Sequence, residues 1–199
     1  MIMLIDHCDK TISIKVVYFG PALSGKTTSI KALFSHFGKK DQLSSIENTV
    51  NRTLFFDYGT ISFQNEEWIL KIHIYTTTGQ DFYLVTRPIT LSAVDGIIFV
   101  VDSQQDVYER NLISWSELNS YFKDSLRELP IIITFNKQDL PNKFNSIQFL
   151  NEIRYQKFKN VESRRTIALS GEGILGSFED ILKLILQKYY DNKLVSAMN

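Results

Sequence analysis

The segment Gly20-Pro21-Ala22-Leu23-Ser24-Gly25-Lys26-Thr27 constrains this chain more than any other. It has the GxxxxGK[ST] spacing, in which glycines let a tight loop turn successive backbone N–H groups toward a cluster of anionic oxygens. An apolar run of strand character, Ile12 to Phe19, precedes it, and a helical pattern, Thr28 to Phe37, follows. That order places a helix N-terminus, with its free N–H groups and positive dipole end, behind the loop. Gly20, Ala22, Leu23, Ser24, Gly25, Lys26, Thr27 and Thr28 are therefore the candidate polyphosphate cradle. Lys26 can reach the terminal phosphates and the Thr27 hydroxyl can ligate Mg²⁺. The spacing alone arises by chance in roughly one chain in a hundred of this length, so the strand–loop–helix context carries the reading. It does not choose the base.

A second motif does. Pro130 to Phe135 reads as a buried parallel strand and runs into Asn136-Lys137-Gln138-Asp139, the NKxD pattern. Guanine presents two adjacent donors, N1–H and the 2-amino group, and one carboxylate accepts both; Asp139 is the candidate reader. Adenine lacks that donor pair and would leave the carboxylate unpaired. The Asn136 amide can tie this loop to the phosphate loop, and the Lys137 stem can lie along the base. Downstream, Ala168-Leu169-Ser170 falls at the same edge, where the Ala168 N–H can donate to the guanine carbonyl oxygen. GTP or GDP with Mg²⁺ is the ligand these residues imply.

Composition narrows the rest. The chain has 199 residues and zero net charge, enough for one domain with a real core and no basic surface for nucleic acid. The one cysteine, Cys8, rules out an internal disulfide and fits a reducing, cytoplasmic setting. No apolar run approaches a membrane span, and Ile2 and the final Ser196-Ala197-Met198-Asn199 carry no lipidation signal, so no intrinsic membrane anchor is expected. His7, His36 and His73 lack metal-ligand spacing.

Strand and helix patterns alternate. Gly38 to Val50 reads as a long polar loop. Thr53 to Phe63 and Trp68 to Tyr75 read as a hairpin across Gln64-Asn65-Glu66-Glu67. Gly96 to Asp102 reads as a strand, followed by helices near Val107 to Phe122 and Ile147 to Tyr155, a strand Arg165 to Leu169, and a last helix carrying Ile174, Phe178, Ile181, Leu182, Ile185 and Tyr189. The expected fold is a three-layer α/β/α P-loop GTPase fold, with a mostly parallel six-stranded sheet and one antiparallel strand. The domain is expected over 12–190, with 1–11 an N-terminal extension and 191–199 a tail.

A GTP-driven switch needs two loops that feel the γ-phosphate. Arg52-Thr53-Leu54-Phe55-Phe56-Asp57 offers Thr53 to Mg²⁺. Thr76-Thr77-Thr78-Gly79-Gln80 offers the Gly79 N–H to the γ-phosphate and Gln80 to the attacking water. Thr76 stands where an aspartate is usual. The aromatic pair Phe82-Tyr83 after this loop suits a partner as well as it suits burial.

The loop GPALSGKT, the RTLFFD strand, YTTTGQ, VDGIIFVVDS and NKQDLP together resemble the MglA-type small GTPases, relatives of Ras, over about Ile14 to Tyr190. The resemblance implies a switch whose hydrolysis is promoted by a dimeric Roadblock/LC7-type protein that inserts no arginine. An arginine of the switch's own first loop does that work, here Arg52, beside Gln80. It also implies that Asp57 replaces the missing aspartate and holds Mg²⁺ through water; a solvent-exposed edge carboxylate is the alternative. An effector that reads the nucleotide state is implied but not named. Ala22 stands where many small GTPases, including typical members of the group, have glycine, and Thr78 and Pro88 alter the second loop, so hydrolysis is expected to be slow. A GTP-binding scaffold with little turnover stays open beside the switch, and an ATP enzyme remains only if NKQD is coincidental.

Overall fold

The computed structural model describes residues 3–39, 43–47, 53–77 and 86–197. Among these residues eight strands form one sheet: β1 (Leu4–Asp6), β2 (Thr11–Phe19), β3 (Leu43–Glu47), β4 (Thr53–Gln64), β5 (Ile69–Thr76), β6 (Gly96–Asp102), β7 (Ile131–Asn136) and β8 (Val161–Arg165). Their order is β3-β4-β5-β2-β6-β7-β8, with β1 paired antiparallel to the start of β2. The pairs β2–β5, β2–β6, β6–β7 and β7–β8 are parallel, while β3–β4 and β4–β5 are antiparallel. The helices are α1 (Lys26–His36), α2 (Thr86–Leu91), α3 (Tyr108–Phe122), α4 (Ser146–Glu152) and α5 (Ile174–Ala197).

The central strands are apolar throughout because both sheet faces are covered. Every residue of β6 is buried. On one face Ile14, Val16, Ile98 and Val100 pack with Ile30, Leu33 and Phe34 of α1 and Phe178, Ile181 and Ile185 of α5. On the other, Val17, Phe19, Ile97, Phe99 and Val101 pack with Trp115 and Leu118 of α3 and Phe149 of α4. This is the expected three-layer α/β/α architecture. Burial of these side chains, each contributing about 1.5–3 kcal/mol, drives it.

The structure differs from the sequence reading at the margins. Two strands go beyond the six expected. The stretch expected as a loop over Gly38 to Val50 contains β3, an edge strand on β4. Its alternation is hidden because a bulge between Ser45 and Glu47 shifts the register. The strand expected at Arg165 to Leu169 lies at Val161–Arg165 instead. That edge strand is mostly exposed, so Val-Glu-Ser-Arg-Arg shows no apolar alternation although its backbone pairs with β7 from Ile131↔Val161 onward. The shift moves Ala168 and Leu169 off the strand and into the loop beyond its carboxyl end. Pro88 sits in the first turn of α2, where its missing N–H costs nothing. The last helix continues through Ala197.

Candidate nucleotide site

The phosphate loop links β2 to α1 and owes its shape to two glycines. Gly20 has φ 139°, and a Cβ there would lie 2.3 Å from the Val100 carbonyl oxygen on β6. Gly25 caps α1 with φ 103°, and a Cβ there would lie 2.2 Å from Asn136 Nδ2. Both distances are too short for any side chain, so the sheet and the base loop close in on this backbone. Leu23 also has positive φ, 63°. Lys26 is buried, and its ammonium folds back to donate to the carbonyl oxygens of Gly20 (2.8 Å) and Pro21 (2.7 Å). The loop thus fixes its own cation at its rim. Ala22 and Leu23 are exposed, and the buried Ser24 hydroxyl has no hydrogen-bond partner among the described residues.

The Thr27 hydroxyl donates to Asp57 Oδ2 at 2.6 Å, joining the phosphate loop to β4. Asp57 is fully buried, which removes the reading of it as a solvent-exposed edge carboxylate. Thr76, opposite on β5, donates its hydroxyl to the same Oδ2 at 3.0 Å and accepts the Asp57 N–H at 2.8 Å. The threonine in place of the usual aspartate now has a physical reason. An aspartate at position 76 would set two carboxylates against each other, whereas threonine donates to the one that is there. A buried carboxylate, a hydroxyl at the start of α1 and a lysine at the loop rim fit a hard divalent cation held beside a polyphosphate.

Asn136, at the end of β7, joins three loops. Its Nδ2 donates to the Ser24 carbonyl oxygen at 2.8 Å, which is the tie between base loop and phosphate loop anticipated from the motif. Its Oδ1 accepts the Ala168 N–H at 2.9 Å and the Thr166 hydroxyl at 3.3 Å. The Ala168 N–H therefore has an internal partner as well as a possible base. Lys137, at φ 64°, pairs its ammonium with the carboxylate of Asp102 at the end of β6. Asn111 of α3 brackets Asp102 by accepting its N–H (3.0 Å) and donating to its carbonyl oxygen (2.9 Å). Asp139 and Leu169 are exposed, and Ala168 is buried.

Sequence reasoning missed Asp102 and Thr166. The available signal for Asp102 was a carboxylate closing a buried strand; Thr166 offered none. Arg52, Thr78, Gly79, Gln80, Phe82 and Tyr83 lie outside the described residues, as does the Thr53 side chain; the Thr53 backbone opens β4 opposite Glu47.

Beside the site, the sheet face formed by β4, β5 and β2 carries a polar cluster. Tyr58 and Thr60 hydroxyls both lie 3.2 Å from His73 Nδ1. Lys15 of β2 donates to the Ser92 carbonyl oxygen and lies 4.9 Å over the Tyr75 ring. Burial, then Lys71 and Lys15, hold the His73 imidazole below its ordinary pKa.

A phosphate loop and a base loop locked together through Asn136, at the carboxyl edge of a mostly parallel sheet, define a small GTP-binding protein of the Ras-like class. The profile of the ADP-ribosylation factor family matches residues 2–185. The mutual gliding-motility protein MglA of Myxococcus xanthus is 31% identical over 188 residues, covering 92% of this chain and 95% of that protein. The Ras-related protein Rab-5B of Plasmodium falciparum is 27% identical over 186 residues, covering 90% of this chain and 83% of that one. The chain belongs to the ADP-ribosylation factor family of small GTPases, and is of the MglA type. As such it is a GTP-binding regulatory switch. No helix among the described residues is long and apolar enough to cross a membrane.

Proposed function

We propose that this chain is a cytoplasmic switch that binds GTP and GDP with Mg²⁺, hydrolyses GTP slowly alone, and is accelerated by a Roadblock/LC7-type dimer. The observation that carries the reading is the bond from Thr27 to the buried Asp57. It couples the loop that holds phosphate to the strand that leads out of the first switch segment. A change at the phosphates therefore has a direct route into β4 and β5.

Thr27 and Thr53 would ligate Mg²⁺, with Asp57 acting through water. The cation supplies charge neutralisation on the phosphate oxygens. Lys26 and the loop N–H groups bind and orient the phosphates. Asp139 accepts from the guanine edge, and Asn136 keeps that carboxylate in register with the phosphate loop. The guanine carbonyl oxygen would share the Ala168 N–H or take that of Leu169. Gln80 orients the attacking water and Arg52 offsets charge growing on the transferred phosphoryl group. Ala22 places a methyl group in the loop where the MglA-type resemblance implies glycine, which favours slow turnover and keeps a weakly hydrolysing scaffold as the second reading.

The test is single-turnover GTP hydrolysis with and without a Roadblock/LC7-type dimer. The switch reading expects acceleration by about a hundredfold or more, lost in Arg52→Ala. No acceleration by such a dimer, with tight GTP binding retained, selects the scaffold. ATP displacing bound GDP as well as GTP does would overturn both.

A further inference from the structure

A cavity of about 280 Å³ lies directly behind the base-reading loop, on the α3–α4 side of the sheet. Asn136, Lys137 and Asp139 serve the nucleotide, but the intervening Gln138 lines this second space, with Ser103, Phe135, Phe144, Lys143 and Arg165. Phe135 and Phe144 are buried and supply an apolar wall. Gln138 Nε2 donates to Ser103 Oγ at 2.8 Å and to the Phe135 carbonyl oxygen at 3.2 Å, so the polar wall is built and fixed.

The charges around the cavity are unbalanced. Lys143 donates to the carbonyl oxygens of Gln138 (2.7 Å) and Leu140 (3.0 Å), neutral groups that leave its charge in place. Arg165, at the end of β8, has no carboxylate partner among the described residues. Its neighbour Arg164 is paired with Asp180 at 2.8 Å. Among the described residues no carboxylate lines the cavity. Two cations facing an apolar wall suit an anionic head on an apolar body. The volume, at the small end for ligand sites, suits a body of about one ring.

We propose that this cavity is a second ligand site, for a small organic acid, and that its occupant braces the base-reading loop. The head group pairs with the Arg165 guanidinium and the Lys143 ammonium, and the body lies against Phe135 and Phe144. Because Lys143 also holds the Gln138 and Leu140 carbonyl oxygens, an anion that fixes Lys143 stiffens the segment carrying Asp139. The site itself stands alone; the bracing rests on the guanine reading above.

Phenyl phosphate is the probe, titrated calorimetrically into the full chain with GDP and Mg²⁺ at saturating concentration to keep the phosphate loop filled. Saturation near 0.1 mM is the expected order of magnitude. Arg165→Ala and Arg165→Gln should each weaken it about tenfold, with GDP binding unchanged. Release of a fluorescent GDP analogue should slow about fivefold at saturation, and not in the variants at the same probe concentration. No saturation by roughly 10 mM, or equal affinity in both variants, overturns the site. Inorganic phosphate binding as tightly as phenyl phosphate overturns the organic-acid assignment, and unchanged release overturns the bracing. GDP binding is measured first. Failure there removes the guanine reading, and the bracing with it, and leaves the titration to decide the site.

Discussion

The Thr27 hydroxyl lies 2.6 Å from the Asp57 carboxylate, and Thr76 donates to the same oxygen from the opposite strand. One buried carboxylate thus gathers Thr27 in the first turn of α1, the β4 strand and the end of β5. The strand of Thr76 is where the Ras-like resemblance leads one to expect a carboxylate. Here a buried carboxylate stands on the neighbouring strand, and Thr76 donates to it.

Asp57→Ala should separate the two contributions of this carboxylate. Its loss leaves two hydroxyls without their acceptor, costing about 1–3 kcal/mol of stability in a urea titration. If Asp57 supports Mg²⁺ through water, the Mg²⁺-dependent part of nucleotide affinity should fall about 10–100-fold, measured by nucleotide release with and without chelator. Thr76→Val should reproduce a smaller part of both effects. Unchanged Mg²⁺ dependence in Asp57→Ala would remove the carboxylate from the metal site.

Gly25→Ala should disable the site while leaving the sheet folded. The added Cβ would meet Asn136 Nδ2 at 2.2 Å and sit at a φ of 103°. The loop or the amide must move, and either breaks the bond from Asn136 to the Ser24 carbonyl oxygen. Asn136→Ala breaks the same bond and frees the Ala168 N–H and Thr166 hydroxyl without adding bulk. Both variants should lose GDP affinity by about a hundredfold, with far-ultraviolet dichroism unchanged. A Gly25→Ala protein that binds GDP normally would show that the two loops are not locked.

The sequence made the middle of this fold readable and its edges obscure, for a physical cause. β6 and β7 are buried on both faces, so their composition is set by packing and their apolar runs stand out. β3 and β8 lie at the two ends of the sheet and are held by backbone hydrogen bonds, and the mostly exposed side chains of β8 are free to be Glu, Ser or Arg. The phosphate and base loops were legible because backbone geometry and ligand chemistry leave few residue choices at Gly20, Gly25, Lys26 and Asn136. Asp57 was legible only as a position. Its burial depends on Thr27 and Thr76, which come from elements far apart in sequence.

His73 should give the protein a component of acid sensitivity. Its folded pKa lies below the ordinary 6.5, through burial first and then the nearby Lys71 and Lys15. As pH falls, the unfolded chain takes up this proton before the folded one does. The contribution is therefore fully present above about 6.5, falls as pH drops from there toward the depressed folded value, and then levels off. His73→Gln keeps a polar group near Tyr58 and Thr60 and removes the titration. Urea stability measured from pH 7.5 to 5 should fall less steeply in the variant. Parallel slopes would show that His73 is free to protonate in the folded sheet.

Ala22→Gly tests why turnover should be slow. Position 22 is exposed on the phosphate loop, next to the residues whose N–H groups would surround the phosphates in the proposed complex. In the proposed transition state the γ-phosphoryl group, Gln80 and Arg52 converge on that rim, and a methyl group there competes with the water and the guanidinium for space. In the proposed complex, ground-state binding rests on Lys26, Thr27 and the loop backbone, which the substitution leaves alone. Removing the methyl should therefore raise single-turnover hydrolysis about tenfold, equivalent to about 1.4 kcal/mol at the barrier, with GTP and GDP affinities within about twofold of the parent. A gain seen equally in affinity and rate would mean that Ala22 disturbs the loop itself. No gain in either would move the cause of slow turnover to the second switch loop.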